Sequence, residues 1–148
     1  MLYVEDDEDD VFFLQHALAK TQMPHNVITV EDGERAIDYL SANGKYADCK
    51  RYPEPDVILL DLALPRLHGI EVLEWVRTRE QFNEVPIVVL SGSLAERDRN
   101  RALELGADAF FEKTGNCSSV VKFLAEIPKH RQERAWRNDC ENVLMEAS

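Results

Sequence analysis

Asp61, Ser91, Lys113 and the acidic run that opens with Glu5-Asp6-Asp7 have side chains that could do chemistry together. Each directly follows a short apolar segment. Leu2-Tyr3-Val4 runs into the acids, Val57-Ile58-Leu59-Leu60 into Asp61, Ile87-Val88-Val89-Leu90 into Ser91, and Ala109-Phe110-Phe111-Glu112 into Lys113. Carboxylates, a hydroxyl and an ammonium at one place suit a divalent cation and a phosphoryl group. The hard carboxylate oxygens hold the cation, and the ammonium stabilises charge on phosphate oxygens. A carboxylate is itself a nucleophile once its pocket holds phosphorus in line.

These residues meet only if the apolar segments are neighbouring strands. A short buried apolar run bounded by turn signals reads as a strand of a parallel sheet. Side chains just past the carboxyl ends of such strands line the ligand crevice of an open sheet. Between the strands, helical spacing recurs. Val11, Leu14 and Leu18 predict a helix over residues 8–20, and Val27 to Val30 a second strand. Asp32-Gly33 opens a helix with Ala36, Ile37 and Leu40 that stops near Asn43-Gly44. Lys45 to Pro55 reads as a polar surface loop of the kind that contacts partners. Asp56 to Leu60 is the third strand, and Pro65 and Gly69 punctuate the turn after it. Ile70, Leu73 and Val76 give the next helix its buried stripe. Leu94 to Leu105 reads as a polar helix ended by Gly106 in a left-handed cap. Val120, Leu124 and Ile127 mark a fifth helix before Pro128. Five strand-helix pairs in series predict an α/β fold, a doubly wound five-stranded parallel sheet with helices on both faces. Trp136, Cys140, Val143 and Leu144 predict an extra C-terminal helix, which packs on its own domain or serves a dimer or partner contact.

The chain has 148 residues, about one domain, and the expected division is 1–127 for that domain and 128–148 for a helical extension, with no output domain. A net charge of -11 argues against nucleic acid as the main partner, because binding phosphates needs clustered cations. No apolar run approaches the ~20 residues of a membrane span. Cys49, Cys117 and Cys140 lack metal-ligand spacing, and the reading is a cytoplasmic protein with no membrane association. Glu5 and Asp6, directly after a strand, read as functional. Asp9 and Asp10 serve equally well as a solvated helix start at the positive end of the helix dipole.

With Glu5-Asp6 after strand one, Asp61-Leu62-Ala63-Leu64-Pro65 with Gly69, Ser91-Gly92 after strand four and Lys113 after strand five, the chain resembles a response-regulator receiver domain. That family is the phosphoacceptor half of two-component signalling. The resemblance covers Leu2 to Ile127 and points to the stand-alone subclass. It implies a flavodoxin-like strand order, 2-1-3-4-5. It also implies that Asp61 accepts a phosphoryl group and that Glu5, Asp6, Asp61 and the backbone carbonyl of Ala63 hold Mg2+. Asp7 remains a rival ligand if the strand ends one residue later. Lys113 and Ser91 would bind phosphoryl oxygens, Gly92 would leave room for them, and Phe110 would be the aromatic that turns with Ser91. The implied donor is a sensor histidine kinase or a phosphotransfer protein, and the implied output is a downstream protein target, with a homodimer open. The domain would be a signalling protein that phosphorylates and dephosphorylates itself, rather than an enzyme.

Two features depart from the family pattern. Thr114 follows Lys113 where a proline in cis is usual, and a cis bond before a non-proline residue costs ~3 kcal/mol. The first strand offers only Leu2-Tyr3-Val4, short for a central strand. Three alternatives stay open. One is a degenerate receiver that binds without turning over phosphate. A second is a haloacid-dehalogenase-like phosphatase using the Asp7-Glu8-Asp9 spacing. The third is a flavin-binding protein of the same architecture, although six acids after strand one would repel its phosphate.

Overall fold

The computed structural model describes residues 1–22, 25–92, 96–113 and 117–127. Five strands form one all-parallel sheet in the order β2-β1-β3-β4-β5. They are β1 (Leu2–Val4), β2 (Ile28–Val30), β3 (Ile58–Asp61), β4 (Ile87–Ser91) and β5 (Ala109–Glu112). The three residues of β1 pair with β2 on one side and β3 on the other, so Tyr3 lies between Thr29 and Leu59. β3 and β4 are buried along their whole length. This is why their sequences are continuous Ile, Val and Leu rather than alternating. The expected α/β class, strand order and parallel pairing are borne out.

The helices are α1 (Glu8–Ala19), α2 (Gly33–Leu40), α3 (Gly69–Arg77), α4 (Glu96–Glu104) and α5 (Ser118–Glu126). They divide between the two faces of the sheet. Leu14 and Leu18 of α1 pack with Val120 and Leu124 of α5 against Tyr3, Leu59, Val88 and Leu90. On the other face, Ala36 and Leu40 of α2, Val72, Leu73 and Val76 of α3, and Ala102 of α4 cover Leu2, Val4, Ile58, Leu60 and Val89. Alternate residues of each strand thus feed alternate cores.

The helix stripes differ from expectation in detail. α3 buries Val72 beside Leu73 and Val76, while Ile70 is only half-buried. Gly106 takes φ +102° after α4, and the Gly106 amide donates to the Leu103 carbonyl. Residues 94 and 95 at the expected start of α4, Thr114 with its peptide bond to Lys113, and the C-terminal helix expected in 128–148 lie outside the described residues.

The segment read as a polar loop does more structural work than its composition suggested. A 3₁₀ turn at Gly44–Ala47 seats Tyr46 in the core. The rings of Tyr39, Tyr46 and Tyr52 meet pairwise at centroid distances of 5.2, 6.0 and 5.0 Å. The Tyr39 hydroxyl donates to the Pro53 carbonyl at 2.6 Å. Aromatic edges packed this way hold the loop against α2.

Candidate functional site

The carboxyl ends of β1, β3, β4 and β5 meet at one edge of the sheet and bring the reactive side chains together. Glu5 follows β1 and Asp61 ends β3, and both are almost fully buried, at 2% and 3% exposure. Ser91 ends β4 and is also buried, and its carbonyl accepts the backbone N–H of Lys113 at 2.8 Å. That bond continues the β4–β5 ladder one residue past Glu112, to Lys113.

The Lys113 Nζ lies 2.6 Å from Glu5 Oε2, 3.0 Å from Asp61 Oδ2 and 3.0 Å from Asp10 Oδ2. Three carboxylates therefore share one ammonium, which has three N–H donors to give. Burial alone would lower the lysine's pKa. The bonds from Glu5, Asp61 and Asp10 outweigh it and hold the pKa above its ordinary value. For Glu5 the balance runs the other way. Burial, followed by the charge of Asp61, pushes its carboxyl up to about 7 despite the bond to Lys113. Burial and then the charge of Glu5 likewise raise the Tyr3 phenol, whose oxygen lies 3.5 Å from Glu5 Oε2.

Carboxylate oxygens of Glu5, Asp6 and Asp61 all lie within 4.8 Å of one another. Asp6 is exposed, while the other two are buried. Two anionic groups withdrawn from water beside a third, open to solvent, is a donor set suited to a hard divalent cation that keeps several waters. Asp7 is engaged elsewhere. It caps α1, its Oδ1 accepting the Asp9 amide at 2.9 Å and the Asp10 amide at 3.4 Å. The Asp7 amide donates to Glu5 Oε1 at 3.1 Å, which turns the Glu5 carboxylate back over the strand end.

The loop after Asp61 is held close. The Ala63 amide donates to Asp61 Oδ1 at 3.1 Å, so the two oxygens of Asp61 differ, one on the backbone and one on Lys113. Gly69 brings α3 against this loop, and its amide donates to the Leu62 carbonyl at 2.9 Å. A Cβ at Gly69 would overlap the Asp61 carbonyl and the Leu62 Cα, so only glycine permits that approach. Arg66, between them, is held at φ 66°. A non-glycine residue in this region marks strain of the kind that collects at functional loops. A Cβ at Gly92 would meet nothing within 4 Å, so the space beside Ser91 is open. Phe110 is half-buried against the core under α2, α3 and α4, paired with Val89 two residues before Ser91.

The structure thus gathers Glu5, Asp6, Asp61, Ser91 and Lys113 as the sequence reading expected, with Ala63 and Gly92 at the rim and Phe110 below. The reading missed Asp10 as a partner of Lys113. The signal was in the helical spacing. Asp10, Leu14 and Leu18 fall at i, i+4 and i+8, so a carboxylate heads the buried stripe of α1 at its site-proximal end.

Comparisons with known proteins show the family of the chain. The model of the response regulator receiver domain family matches residues 1–125. Response regulator Rcp1 of Synechocystis is 32% identical over 127 residues, covering 86% of this chain and 84% of that protein. The phosphorylated cyanobacterial phytochrome response regulator RcpA superposes with a TM-score of 0.73 at 38% identity, over 82% of this chain and 85% of that one. The Mn2+-bound form of Rcp1 does so with a TM-score of 0.72 at 33% identity, over 82% and 86%.

Proposed function

This chain belongs to the response-regulator receiver family, and from that premise we propose that Asp61 is its phosphoacceptor and Mg2+ its metal. The observation that carries the reading is the buried Asp61 carboxylate. Its Oδ2 lies 3.0 Å from Lys113 Nζ, within a group of three carboxylates. An Asp61 oxygen forms a bond to phosphorus as the P–N bond to the donor's imidazole breaks, and the imidazole nitrogen keeps the electron pair and takes a proton. Water later hydrolyses the acyl phosphate, releasing phosphate and restoring the carboxylate. Lys113 moves its hydrogen bond from Asp61 to a phosphoryl oxygen and stabilises the charge there.

Glu5, Asp6, Asp61 and the Ala63 carbonyl would hold Mg2+, which would offset the repulsion between clustered carboxylates and an incoming phosphate. Ser91 reaches the phosphoryl group through the open space at Gly92. Phe110 turns into the volume that Ser91 vacates. The phosphoryl group adds close to two negative charges, enough to bias a two-state surface on α4, β5 and α5. The output is the binding of a downstream protein target.

The donor is a sensor histidine kinase or a phosphotransfer protein. RcpA is a phytochrome response regulator, and the likeness to it favours a kinase of phytochrome type for this chain. Phe12 and Phe13, the large exposed apolar side chains of α1, offer such a partner a docking surface on the same helix as Asp10. No helix among the described residues is long and apolar enough to cross a membrane. The cytoplasm, where such kinases present their phosphohistidine, is the proposed location.

Beryllofluoride, which mimics a phosphoryl group on aspartate, tests the reading without a kinase. With Mg2+ present, amide resonances of Asp61, Ser91, Gly92, Phe110 and Lys113 should shift. An unchanged spectrum would contradict the assignment and favour a degenerate receiver.

A further inference from the structure

Among the carboxylates around Lys113, Asp10 stands apart. Glu5 and Asp61 belong to the group that can hold a metal, and Asp10 does not. It sits in the first turn of α1, its side chain 29% exposed, with Oδ2 at 3.0 Å from Lys113 Nζ. We propose that Asp10 is a positioning residue for phosphoryl transfer, the anchor that keeps the Lys113 ammonium in place while its other two partners are taken away. The inference rests on the assignment of Asp61 as phosphoacceptor.

In the structure each N–H of the ammonium has a carboxylate: Glu5, Asp61 and Asp10. A cation held by Glu5, Asp6 and Asp61 would compete for the first two, and phosphorylation of Asp61, which turns its carboxylate into an acyl phosphate, removes the charge of the second. One N–H must then turn to the phosphoryl oxygen. A lysine side chain has four carbons of rotatable stem, and a point charge on it loses its position once its partners go. Asp10 alone is left unaltered by both events. Its own position is fixed from two sides, because its backbone N–H is held by the Asp7 cap and Leu14, one turn on, is buried against the sheet. The contact also joins α1 to the strand-five end of the site across 103 residues of sequence.

The bland role of Asp10 is that of an acidic residue in the first turn of a helix, where a negative charge meets the helix dipole. Asp9 is an acid in the same turn and has no contact with Lys113 among those observed, so it is the matched control. The experiment uses the full chain with phosphoramidate as donor and saturating Mg2+, following the phosphorylated fraction by intact mass at several donor concentrations. Asp10→Ala should lower the maximal phosphorylation rate roughly tenfold, less than the loss of a direct charge-stabilising donor. The donor concentration giving half that rate should stay within about twofold, because positioning acts on the transition state rather than on uniform binding. Asp10→Glu, which restores the carboxylate, should recover most of the loss, and Asp9→Ala should match wild type.

Circular dichroism distinguishes a folding defect from a positioning one. If Asp10→Ala is folded and reacts at the wild-type rate, the inference is wrong, and if Asp9→Ala is equally slow, it is wrong because both acids act through the helix dipole. If the wild type takes no phosphoryl group at all, the phosphoacceptor reading falls and this inference falls with it. If Asp10→Ala is unfolded, the Asp10→Asn variant, of the same shape without the charge, decides by the same rates.

Discussion

Replacing Lys113 with methionine keeps the apolar stem and removes the one ammonium that Glu5, Asp61 and Asp10 share. Two of those carboxylates are nearly inaccessible to water, at 2% and 3% exposure. Breaking a buried pair by deleting one partner costs about 3–5 kcal/mol, because the remaining charge is left uncompensated. Here Glu5 can escape by taking up a proton, since its pKa of about 7 lies close to neutrality even with the lysine present. The wild type already meets most of the cost of that proton at pH 7, because its own Glu5 carboxyl sits at about 7. The loss in the variant therefore falls on Asp61, which stays buried without its ammonium, and Lys113→Met should destabilise the protein without Mg2+ by about 3 kcal/mol at pH 7. Loss of the lysine raises the Glu5 pKa further. A carboxyl with a raised folded pKa contributes fully below its unfolded value and loses that contribution as pH rises through the folded one, so the Glu5 share of the gap should stay small from pH 5 to 7 and widen above pH 7. Urea unfolding at pH 5, 7 and 9, with and without Mg2+, measures this, and Mg2+ should stabilise the variant more than the wild type by replacing the missing positive charge. A loss under ~1 kcal/mol at pH 7, or equal effects of Mg2+ on both proteins, would refute the picture of a charge-starved pocket.

Other parts of the structure give equally direct expectations. Because the Glu5 carboxyl sits at about 7 without metal, Mg2+ should displace its proton, and apparent affinity should rise up to about tenfold per pH unit below 7 and level above it. Calorimetry in two buffers of different ionisation enthalpy would show the released proton, and a pH-independent affinity would exclude Glu5. Ala42 follows α2 at φ 55°, a conformation that favours glycine, so Ala42→Gly should raise stability by ~0.5–1 kcal/mol in urea. The Arg77 guanidinium donates to the carbonyls of Phe82 at 2.9 Å, Asn83 at 3.3 Å and Gly106 at 3.0 Å, and to Asp108 Oδ2 at 3.0 Å. Arg77→Ala should cost about 3 kcal/mol of unfolding free energy, and Arg77→Lys should recover little, since a point charge cannot fill four sites in that plane.

Most of the scaffold was legible because burial leaves plain marks. β3 and β4 are covered on both faces, so their runs of Ile, Val and Leu were unmistakable, and the reactive residues lay one step beyond them. Gly106 announced the end of α4 through a conformation that other residues resist. What escaped lay where side chains act against their usual class. Tyr46 and Tyr52 sit in a stretch of lysine, arginine, aspartate and proline, and only the folding-back of that stretch onto Tyr39 turns them into core. Asp10 was hidden among six consecutive acids, most of which do face water. Its alignment with Leu14 and Leu18 distinguishes it, and a residue at the mouth of a site breaks the apolar pattern that such alignment normally reveals. The choice between Asp6 and Asp7 hung on a strand end, and a boundary one residue off exchanges a carboxylate of the cluster with Glu5 and Asp61 for a helix cap. Asp7 has the cap's hydrogen bonds.

The most direct test of the whole account is the intact mass of the protein after incubation with phosphoramidate, with and without Mg2+, beside Asp61→Asn. A single phosphoryl adduct that needs Mg2+ and is absent from the variant is the expected result. An adduct that persists in Asp61→Asn, or none in a folded wild type that also fails to bind Mg2+, would contradict it.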